Sequence, residues 1–499
     1  MATYQPPIQE SKNRRTLLSE VYVEKAMPSI MSSVDMTSVY IIAIFFIVNA
    51  ATAASGGAAA FTYLILGAIT FFIPCAIATA QLGHMFPKEG SLYNWTHKAL
   101  GGYWSFFVGF CGWFPGVLVM VAGADIVVSM LQGLNSNWLV EPWQQGIVII
   151  IVLGISLALS LQRLSVIKTV TNVAMSLIFL ATVLIGLSGL IWLLKGHHPA
   201  TNLFDFRGWN INWNPNTGNI NLFGLITLAY LGTEVPMNMG GEIKEHSVVR
   251  RHILWGTVLV LVGYFIATTA LLIVQGANVG NIGGFSLVMN VDQTLGKFFG
   301  NITAICITFF FIMVPAVYNN AFARLLLVGG IDQRLPAKIG RLNKNRVPYN
   351  ALIFQCTIAI VLTVITFMLV PYLLRLGGKP TDLATEVYNI SQAAATLVWA
   401  ISTTFLFVNL AIFYFRDRRF FHEHRIFPMP VLVISSIIGP IACAIAIVDT
   451  LFFSWIGALI SNGQWWYIIG GLTAVCIIIA AIGSVLAVGE ASWETQFSE

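Results

Sequence analysis

The chain has 499 residues, of which 57% are hydrophobic and only 9% are charged, and its mean hydropathy is +0.80. A soluble domain needs about 25% charged residues to cover its surface, so this composition excludes a soluble globular protein and predicts an integral membrane protein. In a membrane protein the excess of basic residues, a net charge of +5, is first interpreted as a topology signal, and no nucleic acid partner is expected. All six cysteines lie in apolar stretches, and their spacing predicts neither a disulfide framework nor a zinc site.

Twelve apolar stretches are long enough to cross the lipid bilayer as helices, since about 20 residues span the roughly 30 Å hydrocarbon layer. The predicted spans, numbered one to twelve, cover approximately residues 37–58, 61–84, 104–131, 145–162, 170–194, 220–241, 252–276, 299–323, 349–373, 393–415, 430–455 and 466–488. Residues 1–35 include Lys12, Arg14, Arg15 and Lys25 but no apolar segment, which predicts a cytoplasmic tail rather than a signal peptide.

The basic residues are divided unevenly between the two sides of the membrane. Of the 26 Lys and Arg residues, 21 lie on the side of the termini. The other five are Lys195, Arg207, Lys297, Arg375 and Lys379. Because positively charged loops stay in the cytoplasm, both termini are predicted to be cytoplasmic and the chain to cross the plasma (inner) membrane many times. One transmembrane domain is expected at residues 36–488, with a C-terminal tail at 489–499.

Span six carries a carboxylate near the middle of the membrane. Asp125 and Asp449 lie near the outer ends of spans three and eleven, where an acid reaches the interface, whereas Glu234 is about fifteen residues into span six. Gly232 and Pro236 flank Glu234 and weaken the helix, so we predict a broken helix with a transport site or gate. The alternative is a proline-kinked helix whose protonated glutamate bonds to a neighbour.

Span one has a matching weakness. Its small residues from Ala50 to Gly57 allow close packing, while Asn49 and Thr52 add polar atoms at membrane depth. Such a stretch is either a tight helix contact or a second break. Two interrupted spans, five helices apart, are typical of an inverted repeat.

Three loop motifs accompany the Gly-Thr-Glu sequence at 232–234. Pro-Lys-Glu-Gly-Ser-Leu-Tyr-Asn-Trp occupies 87–95, Arg324, Asp332 and Pro336 keep a fixed spacing after span eight, and Arg-Ile-Phe-Pro-Met-Pro occupies 425–430. In this order they resemble the amino acid, polyamine and organocation superfamily of secondary transporters. Tyr-Leu-Gly-Thr-Glu at 230–234 and Leu-Asn-Lys-Asn-Arg-Val-Pro at 342–348 are similar to its bacterial glutamate/GABA antiporter group.

The resemblance implies an all-α, LeuT-like 5+5 inverted repeat in which helices one and six are discontinuous. Repeat one would cover about 36–195, repeat two about 219–416, and helices eleven and twelve about 429–488. It further implies alternating-access transport of a small amino acid, by antiport or proton-linked uptake, in a monomer or homodimer without a cofactor or metal.

The resemblance also implies which residues serve transport. The expected substrate-binding residues are Ala43, Ile44, Phe45, Asn49, Trp113, Tyr230, Gly232, Thr233 and Tyr318. The expected coupling or gating residues are Glu234, Lys244, Arg324 and Asp332. Trp399 in span ten is a further aromatic candidate for the transport route.

Two departures from the superfamily pattern bear on coupling. The usual first-helix Gly-Ser-Gly-x-Phe is replaced by Ile-Ala-Ile-Phe-Phe at 42–46, as in the antiporter group, and no lysine occurs at 174–178 in span five. Exchange, or protonation of Glu234, is therefore expected to drive transport. If Glu234 titrates, transport should change sharply with pH and the Glu234→Gln variant should lose that dependence.

The alternatives are a polyamine or other organic-cation carrier, a membrane enzyme and a channel. A polyamine or other organic-cation carrier of the same fold would need Asp125 to face the pocket beside Glu234. A membrane enzyme is disfavoured because the sequence has no His-x-x-x-His and no Gly-x-Ser-x-Gly. A channel is disfavoured because no repeated filter-like segment occurs.

Overall fold

The computed structural model describes residues 17–212, 219–281, 283–373, 380–456 and 459–497. The predicted tail residues Lys12, Arg14 and Arg15 and the basic residues Arg375 and Lys379 lie outside this part of the chain. Within it the regular structure is helical, and one isolated parallel bridge joins Met31 to Ile243.

The helices, in chain order, are α1 (Leu18–Ala26), α2 (Ser33–Ile44), α3 (Asn49–Ala54), α4 (Ala59–Met85), α5 (Ser91–Leu100), α6 (Gly102–Leu134), α7 (Pro142–Ser160), α8 (Leu164–Leu194), α9 (Asn221–Leu228), α10 (Ser247–Val274), α11 (Ser286–Leu295), α12 (Lys297–Ile331), α13 (Tyr349–Leu373), α14 (Pro380–Arg416), α15 (Arg418–Glu423), α16 (Met429–Phe452) and α17 (Asn462–Phe497). One π-helical turn interrupts α4 at Ala68–Phe72 and another interrupts α13 at Val364–Leu369. Short 3₁₀ segments cover Phe206–Trp209, Val235–Glu242, Gly276–Asn281 and Gly283–Phe285.

Ten helices in the described ranges are long and apolar enough to cross a membrane. They coincide with predicted spans two to five and seven to twelve, which confirms an all-helical, multi-pass membrane protein. Predicted spans one and six do not form single long helices, because α2 has 12 residues and α9 has only eight. These are the two spans that were expected to be discontinuous.

The first interruption, break one, comprises residues 45–48. A capping box between Ser32 and Asp35 starts α2, and its last backbone bond runs from the Phe45 N–H to the Ile41 carbonyl. The Phe46 N–H then donates to the Ile44 carbonyl at 2.9 Å, and the chain becomes helical again at Asn49. Aromatic and β-branched residues fill this stretch, and their stiff side chains favour helix less than small residues do.

The second interruption, break six, comprises residues 229–234 between α9 and the 3₁₀ segment Val235–Glu242. Gly232 has a φ of +105°, a conformation that strains any residue with a Cβ. Pro236 stands in the first turn of the 3₁₀ segment, where its missing N–H costs no hydrogen bond. Glycine and proline therefore produce the break that the sequence predicted.

Two parts of the chain, five predicted spans apart, share one local design. The ten-residue helix α5 ends at Gly101 with a φ of +95°, and the 33-residue helix α6 follows. The ten-residue helix α11 likewise ends at Gly296 with a φ of +91°, and the 35-residue helix α12 follows. Both long helices contain a proline, and α12 packs against α6, α7 and α8.

Candidate functional site

Glu234 is buried in break six and is hydrogen-bonded by donors from two sides. The Trp399 indole Nε1 on α14 donates to its Oε1 at 2.7 Å, and the Thr233 hydroxyl donates to its Oε2 at 3.4 Å. Thr79 on α4 lies 3.1 Å from the Thr233 hydroxyl. An indole N–H can only donate, so Trp399 supports an acceptor at Oε1 and helps to hold a negative carboxylate at this depth.

Two tyrosine hydroxyls donate to carbonyls of span one at the end of α2 and in break one. Tyr318 on α12 donates to the Ala43 carbonyl at 2.7 Å. Tyr264 on α10 donates to the Phe46 carbonyl at 3.2 Å and to the Ile44 carbonyl at 3.3 Å. The interrupted backbone of span one is therefore stabilised by two neighbouring helices.

Gly232 in break six lies against two aromatic side chains, Trp399 and Tyr318. A Cβ added there would lie 3.4 Å from Trp399 Cζ2 and 3.6 Å from the Tyr318 hydroxyl. The Tyr318 and Trp399 rings are perpendicular, with centroids 6.1 Å apart. Tyr318 thus reaches the last turn of α2, directly before break one, Trp399 reaches Glu234, and Gly232 lies against both side chains.

Tyr230 closes this region toward the predicted outer side. Its ring stacks on Phe72 at 4.7 Å and meets the edge of Tyr264 at 5.6 Å, and its hydroxyl has no partner within the described ranges. A cavity of about 60 Å³ beside it is lined by Asn49 and Thr52, among others. Ligand pockets usually measure roughly 300–1,000 Å³, so this conformation is closed around the breaks.

Arg324 lies on the predicted cytoplasmic side of the breaks. Its Nη2 is 3.0 Å from Oε1 of Glu242, and both side chains are fully buried. Its Nη1 bonds to the Asn320 carbonyl and side chain one turn earlier in α12. Glu242 was missed in the sequence, where the signal was an acid directly after Gly240 and Gly241, at the end of a broken span. The pair joins the 3₁₀ segment to α12.

Asp332, a second expected gating residue, holds the N-terminal helix. The Ser19 backbone N–H donates to Oδ1 at 2.9 Å, and the hydroxyls of Ser19 and Tyr93 each donate to Oδ2 at 3.1 Å. Burial raises the pKa of Asp332, while the bonds from Ser19 lower it in part. Glu20 in turn forms an ion pair with Lys98 on α5 at 2.8 Å. We call these contacts of α1, together with the Arg324–Glu242 pair, the inner gate.

Two expected residues belong neither to the breaks nor to the inner gate. The Lys244 backbone N–H bonds to the Met31 carbonyl, while its side chain is exposed on the predicted cytoplasmic side. Trp113 donates to Gln355 Oε1 on α13 at 3.2 Å and stacks on Phe354, so it fills the contact between α6 and α13. Tyr264 and Thr79 do reach the breaks, but the sequence did not predict them, because a single tyrosine or threonine in an apolar helix does not by itself indicate a binding site. No group of three or more acidic, His or Cys residues in the described ranges is arranged to hold a metal ion.

Comparison with known proteins agrees with this architecture. The amino acid permease family model matches residues 29–482. The chain is 24% identical over 476 residues to the inner membrane transporter YjeM of Salmonella typhimurium, covering 85% of this chain and 90% of that protein. It is 25% identical to the branched-chain amino acid permease BcaP of Lactococcus lactis, covering 83% and 86%. It is 21% identical to the gamma-aminobutyric acid permease of Bacillus subtilis, covering 70% and 71%.

The motifs at 87–95, 232–234, 324–348 and 425–430 all fall within the matched residues. The predicted membership in the amino acid, polyamine and organocation superfamily is thereby confirmed. The relatives and the ten apolar helices also bear out a multi-pass plasma membrane protein that is not an enzyme. The chain belongs to the amino acid permease family of membrane transporters.

Proposed function

We propose that this protein moves zwitterionic amino acids across the plasma membrane by alternating access, as an exchanger or by proton-linked uptake. The observation that carries the proposal is that two non-helical backbone segments are connected through Tyr264, whose hydroxyl bonds the Phe46 carbonyl of break one and whose ring meets Tyr230 of break six. Both segments lie among membrane-crossing helices. In lipid, irregular backbone is tolerated only where protein or an aqueous cavity surrounds it. Breaks at this depth therefore indicate a binding site.

The finer architecture is part of this proposal. We place twelve crossings in a LeuT-like inverted repeat, with repeat one at about 36–195, repeat two at about 219–416 and helices eleven and twelve at about 429–488. The two helix–glycine–helix units and the two breaks, each pair five spans apart, support it. Both termini are placed in the cytoplasm on the distribution of Lys and Arg.

An amino acid fits the two breaks because it carries one charge of each sign. Its ammonium would lie near Glu234 and the Ile44 and Phe46 carbonyls, which present negative charge. Its carboxylate would meet the backbone N–H groups of Leu231 and Gly232, which form no hydrogen bond within the described ranges. Of the expected residues, Ala43, Phe45, Asn49, Tyr230, Thr233 and Tyr318 surround these groups, whereas the role of Trp113 stays a prediction from the sequence.

The names of the relatives support this substrate class. One relative is a branched-chain amino acid permease and another a gamma-aminobutyric acid permease, and both substrates are small zwitterions. A polyamine carrier remains the second candidate. It requires a second acid at the breaks, and Trp399 and Thr233, which bond Glu234, are not acids.

Counterflow in proteoliposomes tests the proposal. Separate batches of liposomes are loaded with an unlabelled zwitterionic, acidic or basic amino acid or with a diamine, and each batch receives a labelled trace of the same compound outside. We expect exchange with zwitterions. Exchange with diamines alone would establish the polyamine alternative, and no exchange with any amino acid would refute the substrate class while leaving the fold intact.

The Glu234→Gln variant tests whether the Glu234 carboxylate binds the ammonium of the substrate. We expect its counterflow to fall strongly, because the amide offers no negative charge to an ammonium. The matched control is Glu245→Gln, which removes an exposed carboxylate near the predicted cytoplasmic surface and should keep full activity. A pH series on the residual activity tests coupling, and an unchanged pH dependence would exclude Glu234 from it.

A further inference from the structure

A second buried carboxylate lies at the inner gate, in the turn between α4 and α5. Glu89 is only 3% exposed. Neither of its carboxylate oxygens makes a hydrogen bond of normal geometry with any described residue, and the Gly241 backbone N–H provides only a weak polar contact. Buried carboxylates are almost always bonded or paired, so this one has no local structural explanation.

The turn that carries Glu89 is fixed against span six. The Gly90 N–H bonds to the Asn238 carbonyl at 3.3 Å, and the Ser91 hydroxyl bonds to the Asn238 side chain at 2.7 Å. A Cβ added at Gly241 would lie 3.2 Å from Glu89 Oε1. Glu89 therefore stands next to the segment that ends in Glu242, the partner of Arg324.

The guanidinium of Arg324 lies near two carboxylates, Glu242 and Glu89, but is bonded to only one of them. Arg324 is bonded to Glu242, and no hydrogen bond or ion pair connects it to Glu89 in this conformation. An ionised Glu89 would add a second buried negative charge without a bonded partner, which is strongly unfavourable. Burial raises the pKa of the Glu89 carboxyl well above its usual range, and Glu242 raises it further, while Arg324 and the Gly241 N–H lower it in part.

Glu89 also borders a cavity of about 340 Å³ on the predicted cytoplasmic side. Besides Glu89, the charged and titratable side chains that line this cavity are Glu20, Lys88, Lys244, Glu245 and His246. Glu20 is paired with Lys98, and Lys244, Glu245 and His246 are exposed. The cavity gives Glu89 a route for proton exchange with the cytoplasm.

We propose that Glu89 is a proton-binding site of the inner gate, neutral while the gate is closed and ionised once the gate opens to water. The proposal rests on alternating-access transport and adds the place where cytoplasmic protons act on it. In the open gate the hydrated carboxyl returns toward its ordinary acidity, so the closed conformation binds the proton more tightly. Acidic cytoplasm then favours the closed gate, and the closed state is lost as pH rises through the raised value.

Pulsed electron-electron spin resonance can measure the gate directly. Nitroxide labels on Arg250→Cys in α10, the helix that follows Glu242, and on Lys338→Cys in the loop that follows α12, both exposed, report the distance between these two parts of the chain in nanodiscs over a pH series. Protein without introduced cysteines controls for labelling of the native ones. We expect a single short distance at low pH and a growing long-distance population as pH rises.

Substitutions then assign the titrating group. Glu89→Gln mimics the protonated side chain and should stay at the short distance over the whole series, whereas Glu89→Asp should keep a pH response. Glu245→Gln and His246→Gln, on the same cavity, should respond like the parent. An unchanged response in Glu89→Gln, or its loss in His246→Gln, overturns the proposal. The distances need no substrate, so failed counterflow with an intact pH response would contradict the substrate class alone.

Discussion

Glu234 in span six and Glu89 beside span six are both buried carboxylates, yet their surroundings differ. Glu234 receives hydrogen bonds from the Trp399 indole and the Thr233 hydroxyl. Glu89 receives none of normal geometry within the described ranges, and the nearest guanidinium is bonded to Glu242. Glu234 therefore has hydrogen-bond donors at both carboxylate oxygens, whereas Glu89 has no donor of normal geometry at either.

The difference separates two tasks that transport requires. Donors stabilise the charged form of a carboxylate, which makes Glu234 suited to an organic ammonium. A buried carboxylate without donors is more stable when neutral, which makes Glu89 suited to a proton. We therefore expect substrate binding and proton sensing to reside in different acids, at the breaks and at the inner gate.

The largest expected effect comes from removing the cation of the inner gate. Arg324→Met leaves Glu242 buried without a partner, and breaking such a pair costs about 3–5 kcal/mol of folding free energy. Thermal unfolding in detergent should show a strongly lowered midpoint. The exposed Arg419–Glu423 pair supplies the control, since Arg419→Met should leave the midpoint unchanged. Adding Glu242→Leu to Arg324→Met should restore most of the loss, and failure to do so would mean that the ion pair is not its cause.

At the breaks, the strongest test removes the Trp399 indole N–H that donates a hydrogen bond to Glu234. A hydrogen bond to a charged group contributes about 1.5–3 kcal/mol, so Trp399→Phe should weaken apparent substrate affinity by about 13- to 160-fold. The substrate concentration that gives half-maximal counterflow measures this apparent affinity. Trp465→Phe is the matched control, because Trp465 is equally buried but donates to the Thr450 carbonyl between α16 and α17. Equal losses in both variants would contradict a specific role for Trp399.

These residues also show how far the sequence could predict the molecule. Apolar length predicted ten of the described helices, and glycine and proline predicted break six, because both signals are local. Glu242 and Tyr264 were missed because their importance comes from partners 82 and 218 or more residues away along the chain. Asp332 was recognised by spacing, but its contact with Ser19, 313 residues away, was not. Side-chain contacts between helices that are far apart in the chain produce no repeating pattern in the sequence, so they could not be predicted from it.

A smaller effect is expected from filling the contact between Gly232 and the two aromatic side chains. Gly232→Ala places a Cβ on a residue with φ of +105°, where a side chain costs about 1–2 kcal/mol. Trp399 and Tyr318 lie in contact distance of that Cβ, so counterflow should slow even if the protein folds. Gly471→Ala in α17, where the added Cβ meets nothing within 4 Å, should transport normally. Normal transport by Gly232→Ala would show that transport does not need this close contact of Gly232 with Trp399 and Tyr318.

The smallest effect concerns the hydroxyl that joins α12 to the last turn of α2, directly before break one. Tyr318→Phe removes the bond to the Ala43 carbonyl, and a neutral hydrogen bond contributes about 0.5–1.5 kcal/mol, or about a 2- to 13-fold change in apparent affinity. Tyr40→Phe removes the Thr257 contact of another fully buried tyrosine, one turn before Ala43 in α2. Because this hydroxyl bonds a threonine side chain and no carbonyl of span one, its loss should change stability without changing affinity. If the two variants behave alike, Tyr318 merely braces the fold. If only Tyr318→Phe alters affinity, the link between α12 and the Ala43 carbonyl, directly before break one, takes part in holding the substrate.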